Sequence, residues 1–314
     1  MNQALKDQRI QELISLYNNG DAKECLLKAK KVAKIYPEEP FIFNLMGVVN
    51  ASICSYEEAI KSYKRALKIN SKYFEVYNNL GVVLNDSKKP DEAVGYLKKA
   101  LIVNPNYPEA YNNLGNSFKE LDDLDQAIES YERAITLNSS YIDPYTNLAI
   151  VFASENENEK AEYYFKKALE ISPQDADTLR YFSDFLVNTQ RFLEAKVFLE
   201  KCLLLTPKSS DVFNLLGQVY QREDFDKALE FYKNALDLSD DKESIQNNIG
   251  ALYFEFNKVK SAIDYFVNIS NSDNNIKTLL NLAYAYIADS RFKEGWEKYE
   301  YRWKVDPGDK VVWP

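Results

Sequence analysis

The chain has 314 residues, of which 46% are hydrophobic and 28% are charged, and its formal net charge is −9. Nucleic acids and anionic membrane surfaces select basic proteins, so an acidic chain of this kind is not expected to bind them. Histidine is absent, which excludes histidine-dependent catalysis and the commonest metal ligand, and no glycine-rich phosphate-binding motif is present. The sequence therefore predicts no catalytic residue, no metal site and no cofactor.

The N-terminal stretch MNQALKDQRIQELISLYNNG lacks the apolar segment of a secretory signal. No apolar run reaches the length of about 18 residues that a membrane-spanning helix needs. The three cysteines, Cys25, Cys54 and Cys202, are far apart and follow no metal-binding spacing. Together these features predict a cytoplasmic protein that does not insert into a membrane.

The first predicted element is a degenerate helical pair in residues 1–38, which contains the segment ELISLYNNGDAKECLLKAKKVAKIYP. Residues 39–307 then follow a regular beat of small residues. One series, with steps of 33 or 34, holds Gly47, Gly81, Gly115, Ala149, Ser183, Gly217, Gly250 and Ala283. A second series, with the same steps, holds Ala59, Ala93, Ala127, Ala161, Ala195, Ala228, Ala262 and Gly295. Two small positions about twelve residues apart predict two helices that approach each other closely.

Large apolar residues fill the places between the small ones at helical spacing, for example Tyr77 and Leu84 around Gly81. Such spacing gives each helix one apolar face, and prolines such as Pro105 and Pro307 stand where a repeat must end. Each period is therefore predicted to be two amphipathic helices. In the turn YQREDFDKA one residue is missing, so we expect a tighter bend in the seventh repeat.

The segments YNNLGVVLNDSKKPDEAVGYLKKALIVNP and YNNLGNSFKELDDLDQAIESYERAITLN resemble tetratricopeptide repeats in period and pattern. One repeat cannot bury its apolar face alone, so stacked neighbours must share a continuous core. The resemblance implies an all-α, right-handed superhelical solenoid of antiparallel helix pairs. It would contain eight repeats in residues 39–307 after the degenerate first one.

The first helix of each repeat carries a second stripe, formed by positions 2, 6, 9 and 13 when Phe74 is position 1. In the family this is the concave, ligand-facing stripe, which we call the groove stripe. Position 6 is asparagine in five repeats, and position 5 beside it is also asparagine in five, with three repeats common to both sets. These residues are Asn79, Asn113, Asn147, Asn248 and Asn281 at position 6, and Asn44, Asn78, Asn112, Asn214 and Asn247 at position 5.

A carboxamide offers both a donor and an acceptor, so this asparagine ladder can pair with the backbone of an extended peptide. It resembles the ladder in the repeat region of O-linked N-acetylglucosamine transferases, which grips the substrate backbone. The alternative is that each asparagine bonds the neighbouring repeat and has no ligand. Tyr181 and Leu215 interrupt position 6, which favours two contact zones over one uniform track.

Position 2 is acidic in five successive repeats. This acidic row would favour basic partners, but acids in a first helical turn also oppose the positive end of the helix dipole, for about 0.3–1 kcal/mol each. The two roles are compatible. The row consists of Glu75, Glu109, Asp143, Asp177 and Asp211.

The last predicted element is the second helix of the ninth repeat. Its segment KEGWEKYEYRW resembles the end of bacterial repeat arrays that are followed by a glycosyltransferase-like domain. Trp296, Arg302 and Trp303 enlarge its surface and are predicted to form a docking edge. Residues 308–314, which end in VVWP, are predicted to be a non-helical tail and the possible start of a following domain.

Three functions remain open at this point. The first is a non-enzymatic scaffold that holds a peptide or protein segment in its groove. The second is the substrate-recognition arm of a larger glycosyltransferase whose catalytic domain lies beyond Pro314. The third is a module that assembles with other copies of itself.

Overall fold

The computed structural model describes residues 3–240, 242–270 and 276–301, and within them all regular elements are α-helices. The first ten helices are α1 Gln3–Asn18, α2 Ala22–Ile35, α3 Pro40–Ser52, α4 Tyr56–Ile69, α5 Phe74–Asp86, α6 Pro90–Val103, α7 Pro108–Glu120, α8 Leu124–Leu137, α9 Ile142–Ser154 and α10 Asn158–Ile171. The other eight are α11 Ala176–Asn188, α12 Phe192–Leu205, α13 Ser210–Tyr220, α14 Phe225–Leu238, α15 Glu243–Glu255, α16 Val259–Ser270, α17 Ile276–Ala288 and α18 Phe292–Tyr299.

Each odd-numbered helix packs against the even-numbered helix that follows it, which confirms the predicted all-α class and the helix-pair architecture. The chain divides into two compact units, Met1–Ser172 with α1–α10 and Pro173–Pro314 with α11–α18. Inside each unit, successive pairs stack: α5 contacts α7, and α11 contacts α13. Pro37, Pro105 and Pro207 lie between consecutive pairs, as predicted, whereas Pro307 lies outside the described residues.

The small positions allow the close approach that their spacing predicts. A Cβ atom placed on Gly115 in α7 would lie 2.6 Å from ring carbon Cε1 of Tyr131 in α8. One placed on Gly217 in α13 would lie 2.4 Å from the same atom of Tyr232 in α14. Both rings are fully buried, so at these two positions a glycine is needed to let the tyrosine ring of the partner helix approach the backbone this closely.

The turns between the two helices of each pair share one backbone conformation, with one exception among the described residues. Most of them place a residue in the left-handed region, such as Asp122 (φ 61°) and Asn156 (φ 60°), and close with a hydrogen bond from the next N–H to a carbonyl five residues back. In the turn after α13, the N–H of Asp224 instead bonds the carbonyl of Tyr220, four residues back, at 2.9 Å. This turn is tighter, as the missing residue predicts.

The cysteines lie where the repeat pattern places them. Cys25 and Cys202 are buried at positions where most other repeats have alanine, and the thiol of Cys25 donates to the carbonyl of Leu13 at 3.4 Å. Cys54 is exposed, in the left-handed position of its turn, with φ 57°.

Candidate functional site

The asparagines of the N-terminal unit form a series of hydrogen bonds across successive odd-numbered helices. In each bond, Nδ2 of a position-6 asparagine donates to Oδ1 of the position-5 asparagine in the preceding repeat. The bonds are Asn79 to Asn44 at 3.3 Å, Asn113 to Asn78 at 2.9 Å, and Asn147 to Asn112 at 2.9 Å. Part of the ladder therefore links neighbouring repeats, as the structural alternative supposes.

The two positions differ in exposure. At position 5, Asn78 and Asn112 are 6% and 4% exposed, so their role lies inside the protein. At position 6, Asn113 and Asn147 are only half-buried. The side-chain amide of each donates one N–H to its neighbour. Its Oδ1 and its second N–H have no partner among the described residues. Position 6 is thus the part of the ladder that can serve a ligand.

The C-terminal unit carries a shorter ladder. Asn248 donates to Asn214 at 2.9 Å, and Asn281 approaches Asn247 at 3.5 Å, the upper limit for a hydrogen bond. Asn247 is 2% exposed and exchanges two hydrogen bonds with Thr278, at 2.9 and 3.1 Å. This asparagine is tied into the core more firmly than its N-terminal counterparts.

A different cluster replaces the ladder where the sequence departs from asparagine. The guanidinium of Arg180 lies 4.0 Å from the ring centroid of Tyr181, and its Nη1 is 3.5 Å from Oδ2 of Asp211. Leu215 is buried and offers no polar group. At position 9 of α11, burial raises the pKa of the Asp184 carboxyl, while the nearby Arg180 opposes that shift.

The acidic row lies in the first turn of five odd-numbered helices, as predicted. It adjoins three tyrosines that the sequence reasoning missed, Tyr73, Tyr107 and Tyr141, each directly before its helix. Burial, reinforced by Glu109 and Glu75, raises the pKa of Tyr107 to about 12. The common spacing of 34 residues was the signal that could have revealed these tyrosines.

A groove of about 300 Å³ opens among α5, α7 and α9 in the N-terminal unit. It includes two ladder residues, Asn113 and Asn147, and several polar residues that were not predicted. We call it the α5–α7 pocket. Its lining is Val82, Asn85, Asp86, Lys88, Asn113, Asn116, Lys119, Glu120 and Asn147. Most of the missed residues sit at positions 9, 12 and 13, which share or border the groove stripe.

Of the predicted docking edge, the structure describes only Trp296. Its side chain is 56% exposed and meets the ring of Tyr299 edge-on, with centroids 5.5 Å apart. Phe292 on the same helix is also 56% exposed. Arg302, Trp303 and the tail 308–314 lie outside the described residues, and their proposed role stays a prediction.

Neither a metal-binding cluster nor a bilayer-spanning helix is found in the part of the chain that the structure describes. No group of three or more cysteine, aspartate or glutamate side chains is arranged to hold a metal ion there. None of the helices is both long enough and apolar enough to cross a membrane.

The fold and the repeat period define a helical-repeat protein, and family profiles identify which kind. Profiles described as tetratricopeptide repeat or TPR repeat match residues 55–88, 74–107, 108–141, 152–219 and 212–246, together more than half of the chain. The chain therefore belongs to the tetratricopeptide-repeat proteins, a fold typical of protein-interaction scaffolds.

Solved structures agree on the fold. A tetratricopeptide repeat protein from Parabacteroides merdae is 18% identical with a TM-score of 0.64, covering 79% of this chain and 98% of that one. A chain in the structure of the APC/C hetero-tetramer Cut9–Hcn1 is 19% identical to this chain, with a TM-score of 0.68. The match covers 91% of this chain and 57% of the Cut9–Hcn1 chain. The pilF protein of Pseudomonas aeruginosa is 22% identical with a TM-score of 0.57, covering 70% and 97%.

At these identities the likeness extends to the fold alone. No curated protein shows significant similarity to the chain. The predicted likeness to glycosyltransferase-associated arrays rests on the ladder and on the segment KEGWEKYEYRW, and it stays a prediction.

Proposed function

We propose that the chain is a non-enzymatic scaffold that binds an extended segment of a protein or peptide along the groove stripe of its N-terminal unit. Asn79, Asn113 and Asn147 are the residues that would read the backbone of that segment. The observation that carries the proposal is their hydrogen bonding: each amide is fixed by one bond to its neighbour and keeps a donor and an acceptor for a ligand.

Fixing the amides in advance matters for affinity. A side chain that is immobilised on binding costs about 0.5–1.5 kcal/mol, and a ladder asparagine has already been ordered by its neighbour. A peptide backbone presents alternating N–H and C=O groups, which match the donor and acceptor of a carboxamide whatever the peptide's side chains are. A repeated amide therefore suits an extended partner.

The acidic row supports a basic or neutral partner rather than an acidic one. Glu109 and Asp143 are exposed in the first turns of α7 and α9, the same helices that carry Asn113 and Asn147. Together with the net charge of −9, they would speed the approach of a positively charged segment and slow that of an acidic one.

The experiment compares the wild type with the double variant Asn79→Ala plus Asn113→Ala. Twelve-residue peptides from a random display library are selected on the wild-type protein, and their affinities are measured by fluorescence anisotropy. Losing two hydrogen bonds of about 1 kcal/mol each predicts at least tenfold weaker binding. Helicity, measured by circular dichroism, is expected to be unchanged.

The matched control removes two exposed asparagines outside the stripe, Asn106→Ala plus Asn158→Ala, and is expected to bind as the wild type does. Wild-type affinity in the ladder variant would show that the ladder serves the repeats alone. Equal weakening in both variants would also contradict the proposal.

A second proposal is that the array is the substrate-recognition arm of a larger glycosyltransferase. It is supported by the exposed apolar residues Phe292 and Trp296 on α18 and by the junction-like segment KEGWEKYEYRW, which contains Trp296. The full-length gene tests it: an open reading frame that continues into a nucleotide-sugar-binding domain is expected. A stop codon directly after Pro314 would contradict it.

A further inference from the structure

Helix α12 carries three exposed apolar residues on one outward face. Leu193, Val197 and Leu204 are 76%, 52% and 85% exposed. Because an α-helix turns by about 100° per residue, these three side chains lie within about 40° of one another around the helix axis. The buried residues of this helix, which include Cys202, lie on the opposite side. We call the three exposed residues the α12 stripe.

The corresponding places are charged in two other helices of the same length. Leu193, Val197 and Leu204 are the second, sixth and thirteenth residues of α12, and none of these places needs an apolar residue for the repeat to pack. Single exposed apolar residues are ordinary on a protein surface, whereas several on one face form a patch of the kind that binds a partner. The charged counterparts are Glu57, Lys61 and Lys68 in α4 and Asp226, Glu230 and Asp237 in α14.

Two copies of the α12 stripe fit each other when their helices run antiparallel. Leu193 and Leu204 are eleven residues apart, so a two-fold axis beside Val197 and Glu200 places Leu193 of each copy against Leu204 of the other. Positions 193, 197, 200 and 204 are spaced by four, three and four residues, which is the spacing along the contact of two packed helices. The charge of Glu200 is partly compensated by Lys196, one turn earlier on α12, and its methylenes can cover Val197.

The charges beside the stripe favour the antiparallel direction. Glu194 and Lys201 are seven residues apart on the same side of the stripe, and both are exposed. In an antiparallel pair, Glu194 of each copy faces Lys201 of the other, which gives two ion pairs. In a parallel pair, Lys196 on the other side of the stripe would face Lys201 of the second copy, and the like charges would repel. The flanking charges therefore complement a second copy in one direction only.

The two charged residues have different surroundings within one copy. The carboxylate of Glu194 accepts hydrogen bonds from Nε and Nη2 of Arg191, both at 2.7 Å. Lys201 forms no ion pair among the described residues, and its Nζ lies 5.6 Å from the ring centroid of Phe198. Contact with a second copy would give Lys201 a partner and extend the Arg191–Glu194 pair into a three-charge network, which is worth more than an isolated surface pair.

We propose that the α12 stripe is a self-association surface, on which α12 of a second copy lies antiparallel. The proposal is independent of the proposed function, because the groove stripe lies on the odd-numbered helices. Stable interfaces use about 20–30 residues on each side, and one helix face provides far fewer. The dimer is therefore expected to be weak and reversible, with a dissociation constant on the order of 10–100 µM.

Sedimentation velocity of the full chain, from about 5 to about 500 µM, brackets that dissociation constant. Leu193→Gln plus Leu204→Gln is expected to weaken the dimer at least about tenfold, because each contact is made twice. The matched control, Leu27→Gln plus Ile102→Gln, changes two other exposed apolar residues, on α2 and α6, and is expected to dimerise as the wild type does. A wild type that stays monomeric throughout, or equal behaviour of the two variants, would overturn the proposal.

The flanking charges test the direction of the helices. At low salt, Glu194→Lys and Lys201→Glu are each expected to weaken the dimer about threefold to tenfold. Combining the two substitutions restores opposite charges across an antiparallel contact and is expected to recover most of the affinity, with helicity by circular dichroism unchanged in all three variants. A combined variant as weak as the single ones would overturn the pairing of Glu194 with Lys201. Stronger association of Lys201→Glu alone would overturn the antiparallel arrangement.

Discussion

The two units build the same core and different groove stripes. In the N-terminal unit three asparagine pairs follow one another without a break, from Asn44 to Asn147. In the C-terminal unit the stripe carries Tyr181, on which the neighbouring Arg180 stacks, and among the described residues asparagine pairing occurs only from Asn214 onward. Stacking of the repeats therefore does not require the ladder, since the C-terminal helix pairs pack without a continuous one.

The two units share the same core packing, whereas their groove stripes differ. Tyr131 and Tyr232 fill the same place against a glycine, and both are fully buried. Each phenol also donates to a side-chain amide oxygen, Asn116 Oδ1 in the second half of α7 at 2.8 Å and Gln221 Oε1 just after α13 at 2.6 Å. The interior of these two repeats is therefore packed in the same way, while their groove stripes carry different residues.

The largest expected effect tests that shared core. Gly115→Val and Gly217→Val each place a side chain that overlaps with a buried tyrosine ring. A hydrogen bond from the tyrosine hydroxyl holds each ring in place, so the ring cannot move away easily. Each is expected to lower the free energy of unfolding by about 3 kcal/mol, the upper part of the usual range for overpacking. Guanidinium unfolding followed by circular dichroism measures the loss in both units.

The matched control is Gly95→Val in α6, where a Cβ would meet nothing within 4 Å. There valine is expected to raise stability by a few tenths of a kcal/mol, because glycine is the poorer helix former. A small effect at one tyrosine contact and a large effect at the other would show that the two cores are not equivalent.

The second prediction compares two buried asparagines. Asn247→Ala breaks two hydrogen bonds with the buried Thr278 and is expected to cost about 2 kcal/mol, whereas Asn112→Ala loses one bond to the half-buried Asn147 and is expected to cost about 1 kcal/mol. Chemical unfolding of both variants measures the difference. Equal losses of stability would mean that the ladder asparagines contribute equally to the free energy of unfolding in both units.

The sequence predicted the helix pairs and the core because those features depend on local period. The spacing from Gly115 to Tyr131 is readable in the sequence and corresponds to a close contact between α7 and α8. The missing residue before Phe225 is also readable and corresponds to the tighter turn after α13. The register of the asparagine ladder was also readable, since positions 5 and 6 recur in successive repeats.

What could not be predicted depends on which side chains of different helices meet. The sequence does not show that Asn113 donates to Asn78 rather than to a ligand, because that choice depends on the offset between stacked helices. Oδ1 of Asn85 is buried without a partner among the described residues, because the hydroxyl of Ser117 donates its proton to the carbonyl of Asn113. The α5–α7 pocket was missed for this reason, although its acids occupy a readable position on the helical wheel.

The third prediction compares the turns. Asp122 adopts a φ of 61°, a region that glycine reaches without steric cost, so Asp122→Gly is expected to stabilise the N-terminal unit by about 0.5–1 kcal/mol. The tighter turn of the C-terminal unit contains no residue of positive φ among Gln221–Asp224. Glu223→Gly is therefore expected to cost about 0.5 kcal/mol through the greater freedom of the unfolded chain. Thermal unfolding that moves in the same direction in both variants would contradict this account of the turns.

The smallest effect at neutral pH, and one confined to the N-terminal unit, concerns Tyr107, whose counterpart before α13 is Ser209. Burial and the acids Glu109 and Glu75 raise its pKa to about 12, above the value of about 10 in the unfolded chain. The folded protein therefore holds this proton where the unfolded chain has lost it. The stabilising contribution is complete below about pH 10 and disappears as the pH rises towards 12.

Tyr107→Phe cannot lose a proton in either state, so its stability is expected to fall less than that of the wild type between about pH 9 and pH 11. Guanidinium midpoints measured across this range give the two slopes, and tyrosinate absorbance of the folded protein follows the ionisation directly. Tyr163→Phe, at an exposed site on α10, is the matched control and should keep the wild-type slope. If Tyr107→Phe also kept it, neither burial nor the neighbouring acids Glu109 and Glu75 would raise the pKa of this tyrosine in the folded protein.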